Sequence, residues 1–401
     1  TRGETVTVCM KFKSGDEKNL FGKANLQPVA AAMLTRGTKT MTRSEIEDRM
    51  TELKMAGSIT NFTTTRKNLP AALELVFDAM HNSIMPQDEF DQFKKQMQVM
   101  IESMRDKPDA LAQNAITQHF NTYPKGDPRY EYSLDESLEQ LNKLTVDQVR
   151  AFYKEFGGTS RGEISIVGDF DPKAVEKIIR DDYAKYVSKA HYAPVVTEYR
   201  PVKATRVVID TPDKENAIIV ARSVFPINDT APDAPALTVA NWILGGGTGL
   251  SNRLIERLRQ KEGLSYGAGS HVRIPAKGDN GSFVFRAIVA PQNMLQAEAS
   301  ARDVIAKAIK DGFTDQEVEE AKKGLLQAMQ VARSQDDVVA RSWNDKMENQ
   351  RTWVFSKKQA EAISKLTTAD VNAALRKYIK PGEITFVLAG DQKKAAQKKQ
   401  D

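Results

Sequence analysis

The sequence contains one stretch twice, first as Lys143-Leu144-Thr145-Val146-Asp147-Gln148-Val149 and then as Lys365-Leu366-Thr367-Thr368-Ala369-Asp370-Val371. Each copy places a threonine where its side-chain oxygen can cap the amino terminus of an amphipathic helix. A β-rich segment that ends in Gly-Asp follows each copy, over Gly162–Asp169 and Gly382–Asp391. The copies are separated by 222 and 220 residues. This near-constant offset predicts that one structural unit occurs in both halves.

The long helices repeat as well. Gln87-Asp88-Glu89-Phe90 corresponds to Asp315-Gln316-Glu317-Val318 at an offset of 228 residues. Each segment opens a predicted long helix, which is followed by a short acidic break and a further helix. Ala112 lies in the further helix of the first half, and Ala340 lies in that of the second. Four elements in the same order therefore predict two homologous domains.

We place these domains at residues 1–195 and 205–401, joined by the proline-containing segment Tyr192–Val202. Helices grouped after antiparallel strands favour an α+β fold, in which each domain is a mostly antiparallel sheet packed by helices. The first domain lacks an obvious opening strand before Glu4–Lys13. In the second domain the predicted strands are Arg206–Ile209, Ala217–Val224, Ser265–Ile274 and Gly281–Ala290, and the predicted helices are Ala234–Leu244, Asn252–Lys261 and Asn293–Asp311.

The composition, 40% hydrophobic and 28% charged residues, is that of an ordinary globular protein. The net charge of +5 is spread along the chain apart from the basic tail Lys393–Lys399. This tail is expected to be a frayed, solvated terminus and not a nucleic-acid arm, because it has no interleaved aromatic residues. The single cysteine, Cys9, excludes an internal disulfide and any site with several cysteine ligands. Its alternating neighbours predict a buried position in a strand.

A catalytic zinc site on a helix needs two histidines about one turn apart and a carboxylate. The four histidines are far apart in the sequence: His81, His119, His191 and His271. We therefore expect structural or surface roles for them and no metal ligand in this chain. Signatures of a serine nucleophile are absent from the sequence too.

One segment of the second half carries a possible binding site. Gly245-Gly246-Gly247-Thr248-Gly249 follows a predicted helix, which indicates a helix end and not a phosphate-binding loop. A short basic helix with Arg259 in its last turn comes next, then Gly263, then a strand that carries Tyr266. A guanidinium and a phenol beside a strand edge could bind a peptide and polarise its carbonyl group. On spacing alone, the better interpretation is an arginine that caps its own helix and a tyrosine in the core.

This segment closely resembles the signature of the pitrilysin/insulinase family of zinc peptidases, and the resemblance favours the binding role. It implies that Arg259 and Tyr266 contact the substrate opposite the metal, in a clam-shell of two halves. Thr211–Lys214 and Ala290–Asn293, together with the opening Thr1–Gly3, look like the C-terminal half of the long bacterial members.

The sequence departs from the family where an active half has its zinc helix. Pro28-Val29-Ala30-Ala31-Ala32 stands in place of HxxEH, ahead of Gly37-Thr38. Glu102 lies near the expected third ligand, but one carboxylate without two imidazoles does not hold catalytic zinc. The resemblance therefore implies the substrate-binding, metal-free half, with zinc and a glutamate general base supplied by an N-terminal half or a partner subunit.

The expected function is peptide hydrolysis in a closed chamber by the assembled peptidase, with this chain inactive alone. One alternative is a non-catalytic structural or assembly subunit of the same fold, like the core proteins of respiratory complexes. Another is an independent peptide-binding or chaperone-like module. Because bacterial relatives are often exported, we expect a periplasmic location, with the cytoplasm as the alternative. We expect no nucleic-acid partner and no membrane span.

Overall fold

The computed structural model of the chain describes residues 4–247 and 252–397, and its strands form two separate sheets. The strands of the first half are β1 (Thr5–Phe12), β2 (Ala56–Ser58), β3 (Asn61–Thr65) and β4 (Gly162–Gly168). The strands of the second half are β5 (Arg206–Asp210), β6 (Ala217–Pro226), β7 (Ser265–Arg273), β8 (Asn280–Val289) and β9 (Thr385–Gly390).

The two sheets have related topologies. The first has the order β2-β3-β1-β4 and the second β5-β9-β6-β8-β7, so β2, β3, β1 and β4 match β7, β8, β6 and β9. All pairs are antiparallel except β5 with β9. Among the described residues β5 has no counterpart in the first half, where the sequence predicted that an opening strand is missing. The α+β fold with mostly antiparallel sheets is confirmed.

Helices pack on both sheets. The helices of the first half are α1 (Leu26–Met33), α2 (Arg43–Glu52), α3 (Leu69–Asn82), α4 (Gln87–Glu102), α5 (Pro108–His119), α6 (Leu134–Lys143), α7 (Val146–Phe156) and α8 (Pro172–Asp181). Those of the second half are α9 (Ala234–Asn241), α10 (Arg253–Ile255), α11 (Met294–Asp311), α12 (Asp315–Ala332), α13 (Asp336–Glu348), α14 (Trp353–Lys365), α15 (Thr368–Tyr378) and α16 (Gln392–Gln397). Two π-helical segments extend α9 and α10, at Trp242–Gly246 and Glu256–Lys261.

The repeated threonines cap their helices as predicted. Thr145 accepts a hydrogen bond from the backbone N–H of Gln148, and the Gln148 side chain accepts one from the backbone N–H of Thr145. Thr367 and Asp370 form the same reciprocal pair at the start of α15. Such a cap contributes about 1 kcal/mol, so the repeated sequence fixes the same helix start in both halves.

The halves exchange one helix each. Helix α5 of the first half packs on β6 and β9, and α13 of the second half packs on β1 and β4. Ala112 and Ala340 are fully buried at these contacts, because only a small side chain lets a helix lie this close to a sheet. On α13, Asn344 donates hydrogen bonds to the carbonyl oxygen of Cys9 (2.9 Å) and to its Sγ atom (3.2 Å). The buried strand position predicted for Cys9 is confirmed.

The carboxyl-terminal tail differs from its prediction as far as Gln397, whereas Lys398 and Lys399 lie outside the described residues. Lys393 and Lys394 lie in α16, and Ala395 of that helix is buried. An apolar contact on one face therefore orders a segment whose lysines suggested a frayed terminus. Among the described helices, none is long and apolar enough to cross a membrane.

Candidate substrate-binding site

The glycine-rich turn of the second half is fastened to the edge strand β7. Ser270 on β7 donates a hydrogen bond to Asn241 Oδ1 (2.8 Å). A Cβ atom at Gly245 would lie 2.5 Å from Ser270 Oγ, so only glycine fits between the turn and the strand. Helix α9, which precedes the turn, ends in the π-helical segment Trp242–Gly246. Residues 248–251 lie outside the described part of the chain.

The short helix that carries Arg259 is fixed at its start and along its buried face. Asn252 caps it by accepting a hydrogen bond from the backbone N–H of Ile255 (2.9 Å). Leu254 and Leu258 are fully buried beneath it. Arg259 itself is exposed, in the π-helical segment Glu256–Lys261. Single π-helical turns inside helices occur often at functional sites.

The neighbouring arginines Arg253 and Arg257 have partners, whereas Arg259 has none in the part of the chain that the structure describes. Arg253 donates to both carboxylate oxygens of Glu317 (2.7 and 2.8 Å), and Arg257 forms an ion pair with Glu262. Burial acts to raise the pKa of Glu317, but hydrogen bonds from Arg253 and from a backbone N–H lower it overall, so the carboxylate stays ionised. Within residues 4–247 and 252–397, Arg259 makes no hydrogen bond or ion pair, so it does not cap its own helix.

Tyr266 is the extra residue of a β-bulge. Ser265 pairs with Val289 and Gly267 with Ile288, which leaves Tyr266 between them without a partner on β8. Bulges of this kind turn a side chain away from the regular alternation of a strand. The Tyr266 side chain is 66% exposed, so it does not belong to the core.

A tight turn at Gly263 joins the helix that carries Arg259 to the strand that carries Tyr266. Gly263 has a φ of +61°, which an L-residue with a side chain adopts only with strain. The backbone N–H of Leu264 then donates to the carbonyl oxygen of Leu258 (2.8 Å). Arg259 and Tyr266 therefore flank one helix–strand corner, with Arg259 on the helix and Tyr266 on the strand. Their role in substrate binding stays a prediction.

Strand β7 ends the second sheet, and no described strand pairs with its outer edge. An unpaired edge presents backbone N–H and C=O groups that an extended peptide can join as an added strand. Strand β7 is nine residues long and carries Tyr266 as its second residue, so Tyr266 lies at the start of this unpaired edge.

In the first half, the position of the family's zinc helix is occupied by α1. Helix α1 carries Pro28–Ala32, and Glu102 forms an ion pair with Arg105 at the end of α4 (2.8 Å). The histidines lie apart; His81 stacks on Phe77, for example. Among the described residues, no cluster of three or more His, Cys, Asp or Glu side chains could hold a metal ion.

An apolar pocket that was not predicted from the sequence lies in this same region. It has a volume of about 500 Å³ and lies between α1, α4 and α6. Its apolar wall includes Val29, Ala32, Phe93, Met97 and Leu141. A comparison of the two repeats could have indicated it, because the second half has a tryptophan where the first has Ala32.

Comparison with known proteins gives a consistent picture. A family described as the peptidase M16 inactive domain matches residues 143–325. An uncharacterized zinc protease of Mycobacterium tuberculosis (strain ATCC 25618 / H37Rv) is 24% identical over 299 residues, which cover 71% of this chain and 66% of that protein. The chain thus spans less than two thirds of this relative. The non-peptidase homolog YmxG of Helicobacter pylori is 20% identical over 96% of this chain and 89% of that protein.

Solved structures show the same fold. A peptidase M16 inactive domain from Pseudomonas fluorescens superposes with a TM-score of 0.81 at 20% identity, covering 96% of this chain and 92% of that one. The periplasmic protease PqqL from Escherichia coli gives a TM-score of 0.70 at 14% identity. The match covers 97% of this chain but only 43% of PqqL, so the fold described above occupies about half of a longer protein there.

Proposed function

Because this chain carries an inactive domain of peptidase M16 and the fold of that family, as the resemblance in its sequence predicted, we propose that it is the substrate-binding half of a zinc metallopeptidase. The observation that carries the proposal is the corner formed by Arg259, Gly263 and Tyr266. Both side chains are exposed and have no hydrogen-bond or ion-pair partner among the described residues, and they lie beside a strand edge with which no described strand pairs. Side chains that served only packing or capping would be buried or hydrogen-bonded.

The corner suits the binding of an extended peptide. The peptide backbone pairs with the outer edge of β7. The Tyr266 hydroxyl group donates a hydrogen bond to a carbonyl oxygen near the bond to be cleaved. Arg259 adds a planar cationic donor on the other side of the corner. Donors placed where negative charge develops stabilise the tetrahedral intermediate more than the substrate, which lowers the barrier to hydrolysis.

The described residues of this chain do not fit a zinc site. The first-half helix that would hold it has Pro28–Ala32 and no imidazole, and the described residues contain no ligand cluster. We assign the metal and the general base to a homologous partner half, covalently joined or separate. The assembled peptidase would enclose its peptide substrates in a chamber between the two halves, and opening of the halves would admit them. The periplasmic name of PqqL supports a periplasmic location.

A second candidate is a structural or assembly subunit without catalytic contribution. It is favoured by the relative named a non-peptidase homolog, which matches 96% of this chain. The two candidates differ in what they require of Arg259 and Tyr266. A purely structural subunit needs neither of these exposed side chains.

The deciding experiment measures peptide hydrolysis by this chain assembled with its zinc-bearing half. Tyr266→Phe keeps the ring and removes one donor, so we expect turnover to fall about 10²–10³-fold with unchanged folding. Arg259→Lys should also impair turnover, because a point charge does not replace a forked guanidinium. Tyr199→Phe is the matched control, since the Tyr199 hydroxyl has no hydrogen-bond partner among the described residues. Full activity of Tyr266→Phe would favour the structural subunit.

A further inference from the structure

The apolar pocket of the first half has the size and lining of a ligand site. Its volume of about 500 Å³ lies within the range of about 300–1,000 Å³ usual for such sites. Phe93 and Met97 of α4 and Leu141 of α6 form much of its wall, and the rings of Tyr130 and Tyr132 meet edge to face beside them (5.1 Å between centroids).

The second half fills the equivalent space with its own side chain. An offset of 210 residues aligns the helix cap Thr42 with the helix cap Asn252 and places Ala32 opposite Trp242. Trp242 packs against the hydrophobic core of the second half. Its indole nitrogen lies 3.3 Å from the position of a Cβ atom on Gly324 of α12. The first half therefore lacks an indole where its repeat has one.

Polar side chains at the rim of the pocket indicate the chemical class of its ligand. Asn25, Ser137 and Gln140 line the pocket, and their side chains make no hydrogen bond within the described ranges. Asn25 stands at the amino end of α1 but does not cap it. Amide side chains donate and accept hydrogen bonds, as a peptide backbone does. A hydrocarbon chain, by contrast, can form a hydrogen bond with none of these three groups.

We propose that this pocket binds an aromatic side chain of a peptide, with the rim holding the backbone on either side. The aromatic ring takes the place that Trp242 fills in the second half. The inference rests on the proposed function in that the peptide is a substrate of the assembled peptidase. It adds a preference for substrates with an aromatic residue, read by the first half and separate from the corner at Tyr266.

The test uses the full chain and two blocked pentapeptides, Gly-Ser-Trp-Ser-Gly and Gly-Ser-Ala-Ser-Gly, in isothermal titration calorimetry. Burial of the aromatic side chain should make the tryptophan peptide bind at least about tenfold more tightly. Ala32→Trp should fill the pocket with an indole of the chain and abolish this difference. Ala31→Trp, the same change at the neighbouring exposed position of α1, should leave binding as in the wild type.

A second measurement keeps the inference testable even when Ala32→Trp does not fold. The same peptide with a photoreactive benzoylphenylalanine in place of tryptophan should cross-link to α4 or α6 of the wild-type chain, as mapped by mass spectrometry. The inference is wrong if the two pentapeptides bind with equal affinity or if neither binds. It is also wrong if folded Ala32→Trp binds them as the wild type does, or if the cross-links map to other elements. Loss of turnover in Tyr266→Phe alongside any of these results would leave the proposed function intact. A fully active Tyr266→Phe enzyme would remove the proposed function, whatever the pocket binds.

Discussion

Asn344 is expected to hold the exchanged helix α13 on the first sheet, and Asn344→Ala tests this. The side chain is 1% exposed. Its amide nitrogen donates to the Cys9 carbonyl oxygen (2.9 Å), and its amide oxygen is hydrogen-bonded to Ser165. Asn344→Ala removes these two hydrogen bonds, about 1 kcal/mol each, and the weaker one to Cys9 Sγ. Because Ser165 is also left buried without this partner, we predict destabilisation of about 2–4 kcal/mol.

The assay is urea unfolding followed by circular dichroism. Arg341→Ala is the control on the exposed face of α13, because the Arg341 side chain forms its ion pair with Asp337 of the same helix. Because Asn344 and Ser165 share one hydrogen bond, Ser165→Ala combined with Asn344→Ala should cost less than the sum of the single changes. Limited proteolysis should also cut α13 faster in the Asn344 variant. A loss below about 0.5 kcal/mol, which is typical of surface substitutions, would refute the proposed clamp.

Three further outcomes are expected. Gly263→Ala should lower the free energy of unfolding by about 1–2 kcal/mol, because the backbone at this position is left-handed. Gly267→Ala on β7 is the control in the same urea titration and should be nearly neutral, because a Cβ atom there has no neighbour within contact distance. The backbone N–H of Ser133, assisted by Lys125, lowers the pKa of Glu136 to about 2. The stabilisation that this carboxylate contributes is therefore complete above its unfolded pKa of about 4.3 and is lost as the pH falls towards 2. The difference in the free energy of unfolding between the wild type and Glu136→Gln should be the same at pH 7 and pH 5, and smaller at pH 3. Metal analysis of the dialysed chain should find no stoichiometric zinc, and about one zinc ion per chain would contradict the assignment of the metal to a partner half.

The sequence predicted most of the fold because its signals are local. Threonine caps such as Thr145 and Thr367 act within one helical turn. Runs of apolar, β-branched and aromatic residues likewise mark β6 and β8 as strands. The exchange of α5 and α13 could not be predicted in this way, since a buried alanine such as Ala112 shows that a helix packs closely but not on which sheet. The spacing of Arg259 and Tyr266 gave the candidate site, but their exposure depends on a π-helical turn and a bulge that no pattern of residue types predicts.

The difference between the two sheet edges argues that peptide pairing belongs to the second half. Strand β2, which occupies the edge equivalent to β7, has three residues, whereas β7 has nine. At about 3.3 Å per residue, β2 spans about 10 Å and β7 about 30 Å, so only β7 can form a run of backbone hydrogen bonds along an extended peptide. The first half instead offers an apolar pocket with unpaired amides at its rim, which suits one side chain and not a strand. If both sites act, the second half fixes the backbone of the substrate beside Tyr266, and the first half selects substrates by a single aromatic residue.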